Sequence, residues 1–126
     1  MQKIKNYLKG KIVIENKNII KDWIDALNKN QLSILEEIIH PGFIDHDPVT
    51  GQSPDKEGYI KLISNAHQGS ERLYQIQIMD ILSENDKAVI RVDAHGSDGV
   101  IAWKGIGIFR IQDEMIIERW ASRQKV

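Results

Sequence analysis

The 126-residue chain reads as one α+β domain, with helices packed on one face of a strongly curved antiparallel sheet that encloses a pocket. Three observations predict this. Apolar residues recur at helical spacing through the first half, up to about Ala66, and alternate with a period of two from Tyr74 onward. The strand-like segments follow one another across short turns, which is antiparallel connectivity. Glycines lie within or beside the later strands, at Gly105 and Gly107 and at Gly96 and Gly99, where they let a sheet bend sharply.

The elements follow in order. Ile19, Ile20, Trp23, Ile24 and Leu27 share one face of a first helix, which stops at Asn28-Lys29-Asn30. Leu32, Leu35, Ile38 and Ile39 stripe a second helix, which Pro41-Gly42 ends. Phe43–Gly51 reads as a loop or a short strand. Ser53-Pro54 opens a third helix, with serine as N-cap and proline at the first helical position. Tyr59, Ile60 and Ile63 form its apolar face, and Gly69 is its C-cap. The predicted strands run from Tyr74 to Leu82, Ala88 to His95, Val100 to Ile111 and Met115 to about Arg123. Residues 1–14 read as an N-terminal extension. Lys11–Ile14 fits either a short strand or the first turn of a helix.

Composition narrows the function classes. The chain has no cysteine, which excludes disulfide scaffolds, thiolate metal sites and cysteine nucleophiles. Seventeen basic residues against 18 acidic ones do not make the electrostatic footprint of a nucleic-acid binder. Six lysines up to Lys21 read as a solvated terminus or a docking surface for an acidic partner. No apolar run approaches the length of a membrane span, and no signal-peptide core follows the basic start. The expected setting is the cytoplasm. Glu36, Glu37 and His40 have metal-ligand spacing on a helix, but no second half-motif accompanies them, so no metal is expected.

Several segments together resemble a known family. They are Phe43-Ile44-Asp45-His46-Asp47-Pro48, Gly107-Ile108-Phe109-Arg110-Ile111 and Ile116-Ile117-Glu118-Arg119-Trp120, in that order. This arrangement is similar to the SnoaL-like polyketide cyclases of the nuclear-transport-factor-2-like (NTF2-like) superfamily. The resemblance covers about Glu15 to Gln124. It implies a cone-shaped fold with an apolar pocket, a homodimer through the outer sheet face and cofactor-free chemistry on a small hydrophobic, oxygenated molecule. That chemistry would be aldol cyclisation, isomerisation or hydration. The cyclases carry an acid a few residues beyond the Glu-x-Trp element. Here that stretch is Ala121-Ser122-Arg123-Gln124, and Gln124 stands where strand parity would place the acid. A binding or interaction module without turnover is the alternative.

Candidate site residues follow from chemistry at strand spacing. His46, between Asp45 and Asp47, is either an acid/base group or part of a backbone-capping turn. Arg91, Asp93 and His95 share one strand face, either a polar pocket wall or a solvated surface. Glu118 and Trp120 share a face with Ile116. A glutamate beside an indole in an apolar pocket would be a poised base; paired with Arg110, Arg119 or Arg91 it would be structural. The expected catalytic set is His46, Glu118 and His95. The expected ligand-binding set is Asp47, Arg91, Asp93, Trp103, Trp120 and Gln124.

Overall fold

The computed structural model describes residues 15–68 and 74–126. Lys11–Ile14, the basic terminus before them and the Gly69 cap lie outside these residues, as does the side chain of His67. Three helices come first: α1 (Asn16–Lys29), α2 (Leu32–Ile38) and, after strand β1 (Ile39–Asp45), α3 (Lys56–Gln68). Four strands follow, β2 (Gln75–Glu84), β3 (Lys87–His95), β4 (Ile101–Gln112) and β5 (Met115–Lys125). The sheet order is β1-β5-β4-β3-β2. The sheet is open, with β1 and β2 at its edges.

α1 forms as its apolar stripe predicts and buries Ile19, Ile20, Trp23, Ile24 and Ala26. It ends at Asn30 in the left-handed region, where asparagine is tolerated. α2 is shorter than its pattern suggests. It stops at Ile38, and Ile39 already belongs to β1. Pro41 and Gly42 therefore lie inside a strand rather than after a helix. The position suits proline, because β1 is an edge strand and one side of its backbone needs no partner.

β1 also corrects the antiparallel expectation. It runs parallel to β5, making the sheet mixed. The two are far apart in sequence, and no hairpin constrains their direction. α3 starts later than expected as well. Asp55, not Ser53, is its capping residue: Asp55 Oδ1 accepts the Gly58 N–H at 2.9 Å and the Ser53 hydroxyl at 2.8 Å.

Helices and sheet meet in one core containing Ile20, Leu35, Ile39, Phe43, Phe109 and Ile116. On β3 the core side is Ala88, Ile90, Val92 and Ala94. On β4 it holds Phe109, Gly107 and Gly105. Two irregularities change which side chains face it. β2 shifts register between Ile78 and Asp80, so Ile76, Ile78 and Ile81 all pack inward. β5 pairs Ile116 with Ile111 but Glu118 with Arg110, leaving Ile117 as an extra residue.

Candidate functional site

The β5 bulge decides the site. Ile116 faces the core, so uninterrupted alternation would put Glu118 and Trp120 there too. The extra residue reverses the parity. Phe109, a core residue, now opposes Arg119, while Arg110 on the other side opposes Glu118. Arg119 and Ala121 consequently line the interior, and Arg123 stands at its rim. Glu118, Trp120 and Gln124 lie on the outer face.

The outer face collects most of the residues that the sequence places in a pocket. His46 Nε2 meets Glu118 Oε2 at 2.8 Å, and the His46 ring stacks on Trp120 with centroids 4.6 Å apart. Glu118 Oε1 also accepts a hydrogen bond from Arg110 Nε. Those bonds from Arg110 and His46 hold the Glu118 carboxyl below the usual carboxylate range. This is the reverse of the raised value expected for a base in an apolar pocket. Arg91 pairs with Asp80 at 2.6 Å. His95 bonds Gln77 at 3.1 Å and the Gly99 carbonyl at 3.2 Å. Asp93 is buried among its neighbours, with Oδ1 unpartnered. All three alternate with the core-facing Ile90, Val92 and Ala94, so they sit outside the cone. Of the expected site residues, Asp47 and Trp103 line the interior.

The interior is a cavity of about 550 Å³ between α1, α3 and the inner sheet face. Apolar side chains dominate its wall, among them Ile24, Leu27, Ile63, Ile76, Ile90, Val92 and Phe109. Gly105 and Gly107 leave space that larger residues would fill. A Cβ on Gly107 would lie 2.9 Å from the Phe109 ring.

The polar part of the wall is compact. β1 alternation puts Phe43 and Asp45 inward, and Asp45 is 1% exposed. Arg119 Nη1 donates to both Asp45 oxygens, at 2.9 and 3.0 Å. Gln52 Nε2 donates to Asp45 Oδ2 at 2.9 Å, and the Asp47 N–H donates to Oδ1 at 3.0 Å. The buried carboxylate is thus fully engaged. The Arg119 guanidinium lies over the Tyr59 ring, 5.5 Å from its centroid. Burial pushes the Tyr59 phenol up to about 12; the Arg119 charge opposes that shift, the Asp45 charge adds to it, and the Trp23 N–H, turned toward the phenol oxygen though short of full hydrogen-bond geometry, opposes it weakly. Trp23 packs its indole against Phe109 with centroids 4.8 Å apart. Trp23 Nε1 and Arg119 Nε are buried with no hydrogen-bond partner, and both residues line the cavity.

Sequence reasoning passed over Asp45, Arg119, Tyr59, Trp23 and Gln52. One signal was present for Asp45: it stands two residues from Phe43 in an extended segment, hence on the same face. Nothing short of the bulge reveals Arg119. Among the described residues no three His, Asp or Glu side chains converge as metal ligands. Likewise, none of the described helices is long and apolar enough to cross a membrane.

Residues 20–119 match the SnoaL-like domain. The chain belongs to the SnoaL-like family. A search of curated proteins gave no match. Solved structures place the SnoaL-like chain in its wider fold. It is similar to wild-type IdmH, a proposed polyketide cyclase from Streptomyces antibioticus, at 19% identity and a TM-score of 0.75, covering 88% of this chain and 93% of that one. An NTF2-like protein of unknown function from Cytophaga hutchinsonii aligns at 12% identity and a TM-score of 0.71, over 90% and 93% of the two chains. An LEH-like epoxide hydrolase from M. tuberculosis aligns at 11% identity and a TM-score of 0.70, over 86% and 82%. At these identities the likeness concerns the fold, which is the expected cone of helices on a curved sheet. One fold hosts many chemistries, so activity must be argued from the cavity.

Proposed function

We propose that this SnoaL-like domain takes a small, mostly apolar molecule into the cone and holds one acceptor oxygen of it at the polar wall. The observation that carries this reading is a pair of donors in residues of the cavity wall, Trp23 Nε1 and Arg119 Nε, each buried without an acceptor at full hydrogen-bond geometry; the Trp23 N–H is turned toward the Tyr59 oxygen and lowers the pKa of that phenol. A buried donor without an acceptor costs roughly 1–3 kcal/mol, so a ligand oxygen that engages either one, as the side chain turns into the cavity, recovers that cost. The Tyr59 phenol, neutral at ordinary pH, is a third donor. Cavity size and apolar lining suit a molecule of two or three rings.

The same donors would stabilise negative charge on that oxygen. Preorganised donors in a water-poor site are the main device for lowering barriers through an enolate. Cofactor-free isomerisation, aldol cyclisation or hydration would need, in addition, a group that moves a proton. Asp45 is unsuited, because Arg119, Gln52 and the Asp47 N–H occupy its oxygens. Asp47 is the carboxylate on the cavity wall; its Oδ2 accepts the Ala121 N–H at 2.8 Å. The full engagement of Asp45 favours a second reading, a module that binds without turnover. Self-association through the outer sheet face is proposed with either reading, supported by the apolar side chains exposed there.

Binding is tested by fluorescence titration with 2-naphthol, an apolar bicycle with one oxygen. Saturable binding is expected, weakened about tenfold in Trp23→Phe, which keeps the ring and removes the donor. A wild-type chain that shows no saturable binding refutes the reading. Turnover is tested with 2-tetralone in D2O, following exchange of its α-protons by NMR. Acceleration that falls in Asp47→Asn supports an enzyme. Exchange at the buffer rate, with binding intact, supports the module.

A further inference from the structure

The inner face of β5 carries a second guanidinium that the polar wall does not use. Arg123, four residues beyond Arg119, is an exposed residue at the rim of the cavity, and it also borders a smaller outer pocket with Arg91 and Lys104. Its guanidinium carbon lies 5.2 Å from the centroid of the Trp103 ring, itself part of the wall. Among the described residues no carboxylate pairs with it. Arg119 differs in this respect, since its charge is met by Asp45. Lys125, two residues further on and opposite Trp103, adds positive charge at the same end. The opposing charge on the cavity wall is Asp47, whose Oδ2 is held by the Ala121 N–H.

Resting on the binding reading above, we propose that the ligand is a monocarboxylic acid, its carboxylate held by Arg123 and its far oxygen by Trp23 or Arg119. Four residues of strand separate the two guanidinium-bearing positions by about 13 Å. The body between the two polar ends therefore has the length of about two fused rings, and the wall between them is apolar. A guanidinium lying on an indole face is prepositioned, so it loses little side-chain freedom when it takes up a carboxylate in bidentate fashion. A neutral ketone or ester could fill the cone but would leave the rim guanidinium to water, whereas a carboxylate there gains a charge-assisted pair.

The test is a fluorescence titration of the full chain with 6-hydroxy-2-naphthoic acid, its methyl ester and 2-naphthol. The acid is expected to bind at least tenfold more tightly than the ester. Arg123→Gln is expected to bring that ratio to about one while ester affinity changes less than twofold, and Arg123→Lys to keep part of the preference. Equal binding of acid and ester by the wild type overturns the inference, as does a preference that survives in Arg123→Gln. Loss of acid and ester binding together in Arg123→Gln also overturns it, because the residue would then act through packing. If 2-naphthol binds without any preference for the acid, this inference alone falls. If none of the three probes binds, the binding reading falls with it.

Discussion

Tyr59 shows how one buried side chain can report on the whole cavity. Its phenol packs 5.2 Å from Phe43, centroid to centroid, and lies under the Arg119 guanidinium. Burial disfavours the phenolate and raises the group from 10.0 to about 12. The sign of the linkage is fixed by that direction. The folded state keeps its proton where the unfolded chain has released it, so stability is intact below pH 10 and is lost as pH rises from there toward 12. Alkaline titration followed by tyrosine absorbance should show one group ionising late, together with loss of structure. Tyr59→Phe should flatten the fall in stability across this window, measured by urea denaturation at successive pH values. An unchanged slope in Tyr59→Phe would show that the phenol is not desolvated.

At the scale of elements, the turns and bulges hold what residue patterns conceal. The succession of helices and then strands along the chain follows from periodicity, because a packed face imposes 3.6 or 2.0 spacing directly on the sequence, whereas the end of α2, the parallel edge strand β1 and the start of α3 do not. The bulge at Ile117 leaves no such trace. Met115-Ile116-Ile117 reads equally well with either isoleucine inward, and the choice sends either Glu118 or Arg119 into the cone. The expected site built on Glu118, His46 and Trp120 therefore forms as a contact cluster, but on the opposite side of the sheet. The β4–β5 turn shows a second local conflict. Asp113 and Glu114 both have positive φ, 56° and 63°. Such a two-residue hairpin favours glycine at its second position, and a side chain in this region costs roughly 1–2 kcal/mol. Glu114→Gly should raise stability by about 1 kcal/mol in chemical denaturation, after the entropy that glycine loses on folding is set against the relief of strain. A neutral or destabilising result would mean that the contacts of the Glu114 side chain outweigh the strain.

The whole molecule presents two faces of one sheet with different tasks. Helices cover the inner face and leave a cavity in the cone. Among the described residues no element covers the outer face, yet it is not uniformly polar. Ile44, Ile106 and Ile108 are 46%, 54% and 38% exposed, and strand pairing sets Ile108 opposite Trp120. Around this apolar strip stand Glu118 with Arg110 and His46, and Arg91 with Asp80. An apolar centre with a rim of paired charges suits a self-complementary contact between two copies, since a two-fold axis brings the same strip against itself. Sedimentation equilibrium should then find a dimer at micromolar concentration. Ile108→Lys would set like charges near the axis and should shift the chain to monomer. Because Ile108 and the cavity are on opposite sides of β4, the monomeric variant should still bind 2-naphthol with wild-type affinity. A wild-type monomer at high micromolar concentration would remove the outer face as a self-interface. A variant that lost both dimer and binding would instead show that the cone depends on the partner to hold its shape.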